Sequence, residues 1–214
     1  MPRIVFSLVL PGLLSWSAAA AQQPSATKGQ TPAVALATSG LAGQTVAVLP
    51  LTMTLWDPHI PGGAGPKARA TIRHWADSLL GDALLERATE VKWVLPPELR
   101  RVASRAVGMM PSPDQMGQAI MRAPGLREMP DPLRSYVRQL VALAGGARFA
   151  FIPAALYLIP APGDSLSVQL AAVLADGRNG RVVWRTLAVG RGETAADAYR
   201  AALETILPSD TPAP

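Results

Sequence analysis

The two histidines are the side chains whose chemistry is most easily tested against known patterns. His59 and His74 each have a carboxylate nearby in the sequence, Asp57 and Asp77. Structural zinc takes four protein ligands and catalytic zinc usually three, but the sequence has no cysteine and no H-E-x-x-H spacing. His74 and Asp77 are three residues apart on a predicted helix, where a surface hydrogen bond is the ordinary outcome. We therefore predict no metal, no cofactor and no catalytic histidine.

A glycine-rich loop, residues 61–67, follows a predicted strand and precedes a predicted helix. Backbone amides and the helix dipole bind phosphates at such positions. The loop lacks the G-x-x-x-x-G-K-[ST] spacing, however, and Pro66 has no amide N–H to donate. A connector is the favoured interpretation, and weak contact with an anion is the alternative.

Hydrolase chemistry has little support in the sequence. No G-x-S-x-G motif is present, and no serine lies in a context typical of an activated nucleophile. A glycosidase needs two carboxylates, and the candidates Glu86, Glu90, Glu98 and Asp131 are all predicted to lie on helical surfaces. We predict that the protein is not an enzyme, with a divergent hydrolase as a remaining alternative.

Five arginines are the candidate partner-binding residues. Arg100, Arg101 and Arg105 fall on one predicted helix, and Arg134 and Arg138 lie four residues apart on another. If the fold brings the two faces together, they form a basic patch for an acidic partner. The alternative is that both are ordinary solvated helix faces.

The composition is that of a packed globular domain with a basic balance. Of the 214 residues, 49% are hydrophobic and 16% are charged, and the formal net charge is +5. Basic proteins attract anions. For an exported protein the available anions are lipid headgroups, acidic glycans and cell-wall polymers, so we predict no nucleic-acid partner.

The amino terminus predicts export. Arg3 precedes an apolar stretch, residues 4–14, and a run of small residues, 17–21, which is the order of a secretory signal peptide. The apolar stretch is shorter than the roughly 20 residues of a membrane-spanning helix. We expect cleavage between Ala21 and Gln22, no membrane span afterwards and no cysteine for a lipid anchor, hence a periplasmic or secreted protein.

The predicted organisation is a signal peptide (1–21), a flexible leader (22–40), one domain (41–207) and a loose tail (208–214). Within the domain, the predicted order is strand 45–51, helix from Pro66, strand 91–95, helix 98–107, short helix 114–122, helix 133–144, strand 149–158, hairpin strands 167–175 and 182–189, and a helix from Thr194 to 207. Strand–helix alternation favours parallel neighbours, whereas the hairpin adds antiparallel strands. The fold class is therefore α/β (α+β), with one mixed sheet of about five strands, helices packed on it, a closing hairpin and a C-terminal helix.

Two local features complicate this prediction. Pro153 cannot donate a ladder hydrogen bond, so its strand should be distorted there or lie at an edge. The segment 108–132 combines five methionines with several prolines, and is either an adaptable contact surface or a gap filler under a long loop.

Several stretches together resemble a superfamily of bacterial envelope domains. They are the strand 46–51, the helical segment 77–80, the helix–turn–strand 140–158 and the hairpin segment 176–184. The superfamily includes the periplasmic part of the curli secretion channel, lipoprotein activators of penicillin-binding proteins, and the amino-terminal domain of the Tol-system periplasmic protein. The resemblance implies a non-enzymatic, partner-binding domain and carries over no catalytic residue. The chain differs in lacking the lipid-attachment cysteine of several relatives, and segment 108–132 looks like an insertion.

These observations predict an exported, non-enzymatic protein that binds another envelope component, either a protein or a cell-wall or acidic glycan. A binder of a small anionic ligand is the first alternative. The oligomeric state is left open by the sequence.

Overall fold

Six strands form one mixed sheet in the computed structural model, which describes residues 33–60, 65–106 and 108–209. The strands are β1 (Thr45–Val48), β2 (Thr54–Trp56), β3 (Lys92–Val94), β4 (Phe149–Ala161), β5 (Ser165–Asp176) and β6 (Val182–Gly192). Their order is β3-β1-β4-β5-β6, with β2 pairing further along β4. The pairs that involve β1 and β2 are parallel, and β4, β5 and β6 are antiparallel neighbours. The predicted mixed sheet is confirmed; the short strand β2 was not predicted.

Four helices cover the two faces of the sheet: α1 (Pro66–Arg87), α2 (Pro96–Arg105), α3 (Leu133–Leu143) and α4 (Ala195–Ile206). Side chains alternate along β1, so Val46 and Val48 pack with α1 and α4, whereas Ala47 and Leu49 pack with α2 and α3. The result is a three-layer domain with one apolar core on each side of the sheet.

The ends of the helices follow signals visible in the sequence. Pro66 begins α1, where its missing N–H costs nothing. The hydroxyl oxygen of Thr194 accepts a hydrogen bond from the backbone N–H of Asp197 at 3.1 Å, which confirms the predicted cap of α4.

Helix α4 approaches the sheet very closely. A Cβ atom on Gly190 of β6 would lie 2.1 Å from the carbonyl oxygen of Ala198 and 2.2 Å from the amide nitrogen of Ala202. Only glycine leaves room for the helix backbone at this crossing.

The strand that contains Pro153 is distorted at the proline, which is one of the two predicted outcomes. The register between β4 and β5 shifts between Pro153 and Ala155, as expected for a residue that cannot join the ladder. Strand β4 is central, lying between β1 and β5, so distortion and not an edge position is the predicted alternative that occurs. The register shift at Pro153 lets β4 stay paired with both neighbouring strands although the proline has no N–H to donate.

The methionine-rich segment contains no α-helix between residues 108 and 132. The predicted helix 114–122 is replaced by two short 3-10 helices, Pro113–Gln115 and Gln118–Arg122. Gly117, at a φ of +77°, separates them. Three methionines of this segment, Met116, Met121 and Met129, are buried in the core beside α2 and α3, and Met109 is exposed. Three of the five methionines of the segment therefore fill the core, whereas most of its other residues are exposed.

Residues 33–40, the last part of the predicted flexible leader, make specific contacts with the domain. Leu36 is only 6% exposed and its N–H donates to the carbonyl oxygen of Ile206 in α4. The backbone N–H of Val34 donates to the hydroxyl of Thr186 at 2.9 Å. The contacts come from tertiary neighbours, which the polar, small-residue composition of this segment does not reveal. The predicted signal peptide, the leader up to residue 32 and the tail from residue 210 lie outside the described residues.

Candidate functional site

The histidine–carboxylate pairs lie at the surface or are separated. His59 Nδ1 is 2.8 Å from Asp57 Oδ1, but the His59 side chain is 87% exposed. His74 is exposed, whereas Asp77, three residues later, is buried. The predicted surface hydrogen bond between His74 and Asp77 is therefore wrong. Among the described residues, no group of three or more His, Asp or Glu side chains is arranged to hold a metal ion.

The buried carboxylate of Asp77 has a structural partner set. Asp77 Oδ1 accepts the N–H of Leu51 at 2.8 Å, and Oδ2 accepts from Arg100 Nη2 at 2.9 Å. Arg100 also binds both oxygens of Asp114, at 2.9 and 2.8 Å. Burial raises the pKa of Asp77 in spite of these hydrogen bonds, whereas the Arg100 guanidinium lowers the pKa of Asp114. This triad ties α1, α2 and the 3-10 helix Pro113–Gln115 to the loop after β1.

The predicted arginine patch is divided by the fold. Arg100 is neutralised by the two carboxylates of the triad, and Arg101 pairs with Glu98 on the same helix. Arg105 lines an open groove of about 620 Å³ with Val102 and Leu143. Arg134 and Arg138 line a different pocket. The five arginines thus do not form one surface.

A larger group of arginines surrounds the β5–β6 turn, at residues 177–181. We call this region the arginine end; its members are Arg127, Arg134, Arg138, Arg148, Arg178, Arg181 and Arg185, with the carboxylates of Glu128, Asp131 and Asp176. The region contains no lysine. Seven cations against three anions make it strongly electropositive.

The turn itself is held by its own polar groups. Asp176 Oδ1 accepts the N–H groups of Arg178 and Asn179, at 2.9 and 3.2 Å. Asn179 Oδ1 accepts the N–H of Arg181 at 2.9 Å, and Gly180 adopts a φ of +82°. These hydrogen bonds fix the backbone conformation of the turn that contains Arg178 and Arg181.

Helix α3 packs directly against this turn. A Cβ atom on Gly180 would lie 2.7 Å from Cδ of Arg134, and one on Gly177 would lie 3.1 Å from a methyl group of Val141. Arg134 and Arg138 line one pocket with Arg178 and Asn179, so they lie on the side of α3 next to the turn. The two glycines therefore let the helix arginines and the turn arginines come together.

The first pocket of the arginine end is lined by Asp131, Arg134, Ser135, Arg138, Arg178 and Asn179, and has a volume of about 430 Å³. Arg134 Nη2 binds Asp131 Oδ2 at 2.6 Å. Arg138 and Arg178 are exposed and make no ion pair with any described residue. Two guanidinium groups in this pocket are therefore available to a ligand.

The second pocket, of about 330 Å³, is lined by residues on the other side of the turn: Pro124, Leu126, Arg127, Glu128, Arg181, Val182 and Arg185. An antiparallel bridge between Glu128 and Arg181 joins its two walls. Arg185 donates to the carbonyl oxygens of Met121 and Leu126, at 2.5 and 2.8 Å, and burial lowers its pKa. Arg127 and Arg181 are exposed.

Sequence reasoning found Arg134 and Arg138 but missed the other five members. Arg178 and Arg181 flank the Asn179–Gly180 turn signal, so the hairpin prediction already placed them at a tip. The packing of α3 beside this tip is a tertiary contact that no local sequence pattern indicates.

Three solved structures are similar to this chain at low identity. The LpoB C-terminal domain from Salmonella enterica is 14% identical, with 72% of this chain and 84% of that chain covered and a TM-score of 0.37. The PelC dodecamer from Paraburkholderia phytofirmans is 16% identical, with 86% and 98% covered and a TM-score of 0.40. Lipoprotein GNA1162 from Neisseria meningitidis is 16% identical, with 70% and 81% covered and a TM-score of 0.34.

No protein-family model and no curated protein matches the sequence. The likeness to the three structures, with TM-scores of 0.40 or less, is a likeness of fold alone. The resemblance to the curli channel and the Tol-system domain stays a prediction. Among the residues that the structure describes, no helix combines the length and apolar character needed to cross a bilayer.

Proposed function

We propose that this protein is an exported, non-enzymatic domain that binds an acidic component of the bacterial envelope through the arginine end. Export to the periplasm or beyond is inferred from the charge, apolar stretch and small-residue run at residues 1–21. The observation that supports binding is the set of exposed guanidinium groups around the β5–β6 turn, four of which have no carboxylate partner among the described residues.

The state of the polar groups outside the arginine end supports a binding role over a catalytic one. The most buried carboxylate, Asp77, is already bound to Leu51 and Arg100, so it is not free to transfer protons to a substrate. The imidazole of the His59–Asp57 pair is 87% exposed, so bulk water reaches it. The arginine end, in contrast, presents fixed positive charge in two adjoining concave surfaces.

The test is capture of envelope material by the purified mature chain, residues 22–214. We expect the double variant Arg138→Gln/Arg178→Gln to lose about tenfold in affinity for each guanidinium removed, because each charge-assisted hydrogen bond contributes about 1.5–3 kcal/mol. Raising the salt concentration should weaken binding by the wild-type chain, since the guanidinium groups are exposed.

The matched control is Arg69→Gln/Arg191→Gln, which removes the same charge from exposed positions elsewhere. Circular dichroism checks that both variants are folded. Equal capture by the two double variants would show that net charge, and not the arginine end, attracts the envelope component, and would overturn the proposal.

A further inference from the structure

We infer that the acidic component is a linear glycan with carboxylate groups, bound across the β5–β6 turn so that it enters both pockets of the arginine end. This inference rests on the proposed function and specifies its ligand. It is drawn from the lining of the two pockets, the type of cation present and the position of the turn between them.

The lining of the first pocket favours a glycan over a protein surface. All six of its residues are polar or charged, with the Ser135 hydroxyl and the Asn179 amide beside the guanidinium groups. The centre of a protein–protein interface is depleted in charge and enriched in aromatic and apolar anchors. A hydroxyl-rich ligand with negative charge matches this pocket better than an apolar anchor does.

The cations favour a carboxylate as the charged group. Every basic residue of the arginine end is an arginine, whose planar guanidinium binds the two oxygens of a carboxylate in parallel. Within the pocket, Arg134 already binds the carboxylate of Asp131 at 2.6 Å. The same donors on Arg138 and Arg178 have no such partner and can take the ligand's carboxylates.

The position of the turn favours an extended ligand. Arg178 and Asn179 line the first pocket, and Arg181, two residues further on, lines the second. A ligand bound in both pockets must cross the exposed turn, and a polymer with a charge on successive units can do so. In the second pocket, Leu126 and Val182 lie beside Arg127 and Arg181, and suit the C–H face of a sugar ring next to its carboxylate.

The experiment is calorimetric titration of the mature chain with galacturonic acid, its tetramer and its octamer. We expect binding to tighten at least tenfold from the monomer to the octamer, because only the longer chain spans both pockets. Arg138→Gln should weaken binding of every length. Arg181→Gln should weaken binding of the octamer more than binding of the monomer, because the monomer can still bind in the first pocket.

The controls are a neutral malto-octaose, which should not bind, and the Arg69→Gln/Arg191→Gln variant, which should bind as the wild type does. Equal or tighter binding of an octaglutamate peptide, or of phosphatidylglycerol vesicles, would overturn the glycan assignment. So would the absence of octamer binding. If the octamer fails while envelope capture still depends on Arg138 and Arg178, this inference is wrong and the proposed function stands; if that dependence is also absent, both are wrong.

Discussion

At the scale of single residues, the Asp77–Arg100–Asp114 triad shows how a difference in burial gives opposite pKa shifts to two carboxylates bound to the same guanidinium. Asp77 lies almost fully buried, so desolvation outweighs its hydrogen bonds and raises its pKa. Asp114 is partly exposed and receives two bonds from Arg100, which lower its pKa. Arg100, one of the five arginines predicted to bind a partner, is therefore already paired within the protein.

The Asp114 pKa has a consequence for stability against pH. In the unfolded chain Asp114 binds a proton near the ordinary value of 3.8, whereas in the fold it stays ionised to lower pH. The unfolded state therefore binds more protons in that interval, so stability falls as pH falls. The contribution of Asp114 is complete above about 3.8 and is lost as pH drops through its folded pKa.

We expect Asp114→Asn to lower the free energy of unfolding by about 1 kcal/mol at neutral pH, allowing for the partial exposure of the pair. The difference from wild type should stay constant between about pH 5 and 7 and shrink below about 3.8. Urea unfolding at several pH values measures it. The exposed Asp82→Asn serves as the control, and a difference that grew on acidification would contradict the assignment.

At the scale of elements, α4 approaches β6 so closely that no side chain fits between their backbones at the crossing. This approach depends on Gly190, where any side chain would meet the backbone of the helix rather than a flexible side chain. To relieve the steric overlap of a side chain at position 190, α4 would have to move away from the sheet. That movement would loosen the core around the buried Tyr199.

Gly190→Ala should therefore destabilise the domain by about 3 kcal/mol or more, through overpacking at a position that cannot relax locally. The change in melting temperature in a thermal scan measures the effect. Gly125→Ala is the matched control, since its added Cβ meets nothing within 4 Å. Similar melting temperatures for the two variants would show that α4 tolerates displacement.

At the scale of the whole molecule, the segment before β1 closes the core on the side of α4. Leu36 packs into that core, and the indole N–H of Trp184 in β6 donates to the carbonyl oxygen of Ala35 at 3.2 Å. Residues 33–41 are thus structurally part of the domain, although they have the composition of a linker.

Leu36→Ala should lower the free energy of unfolding by about 2–3 kcal/mol, at the smaller end for a buried leucine because the site is near the surface. Val34→Ala, two residues earlier and 51% exposed, should change it by less than about 0.5 kcal/mol. Chemical denaturation of both variants gives the comparison. Equal, small changes in the free energy of unfolding for the two variants would mean that the packing of Leu36 contributes little to stability.

The sequence by itself determined the fold class of this protein. The β5–β6 turn, the Thr194 cap and the apolar stripes of α1 and α3 are local signals whose hydrogen bonds and periodicity involve residues close in the chain, so the mixed sheet and its helices were predictable. The disruption at Pro153 was predictable for the same reason, whereas the central position of β4 was not.

Only the tertiary structure decided the candidate site. Arg100 and Arg134 look alike in the sequence, yet one is paired with two carboxylates and the other lies against the turn at Gly180. Likewise, Arg138 and Arg178 are 40 residues apart and meet because α3 packs on the hairpin tip. Burial and charge pairing depend on which distant segments become neighbours, and local residue patterns do not encode that information.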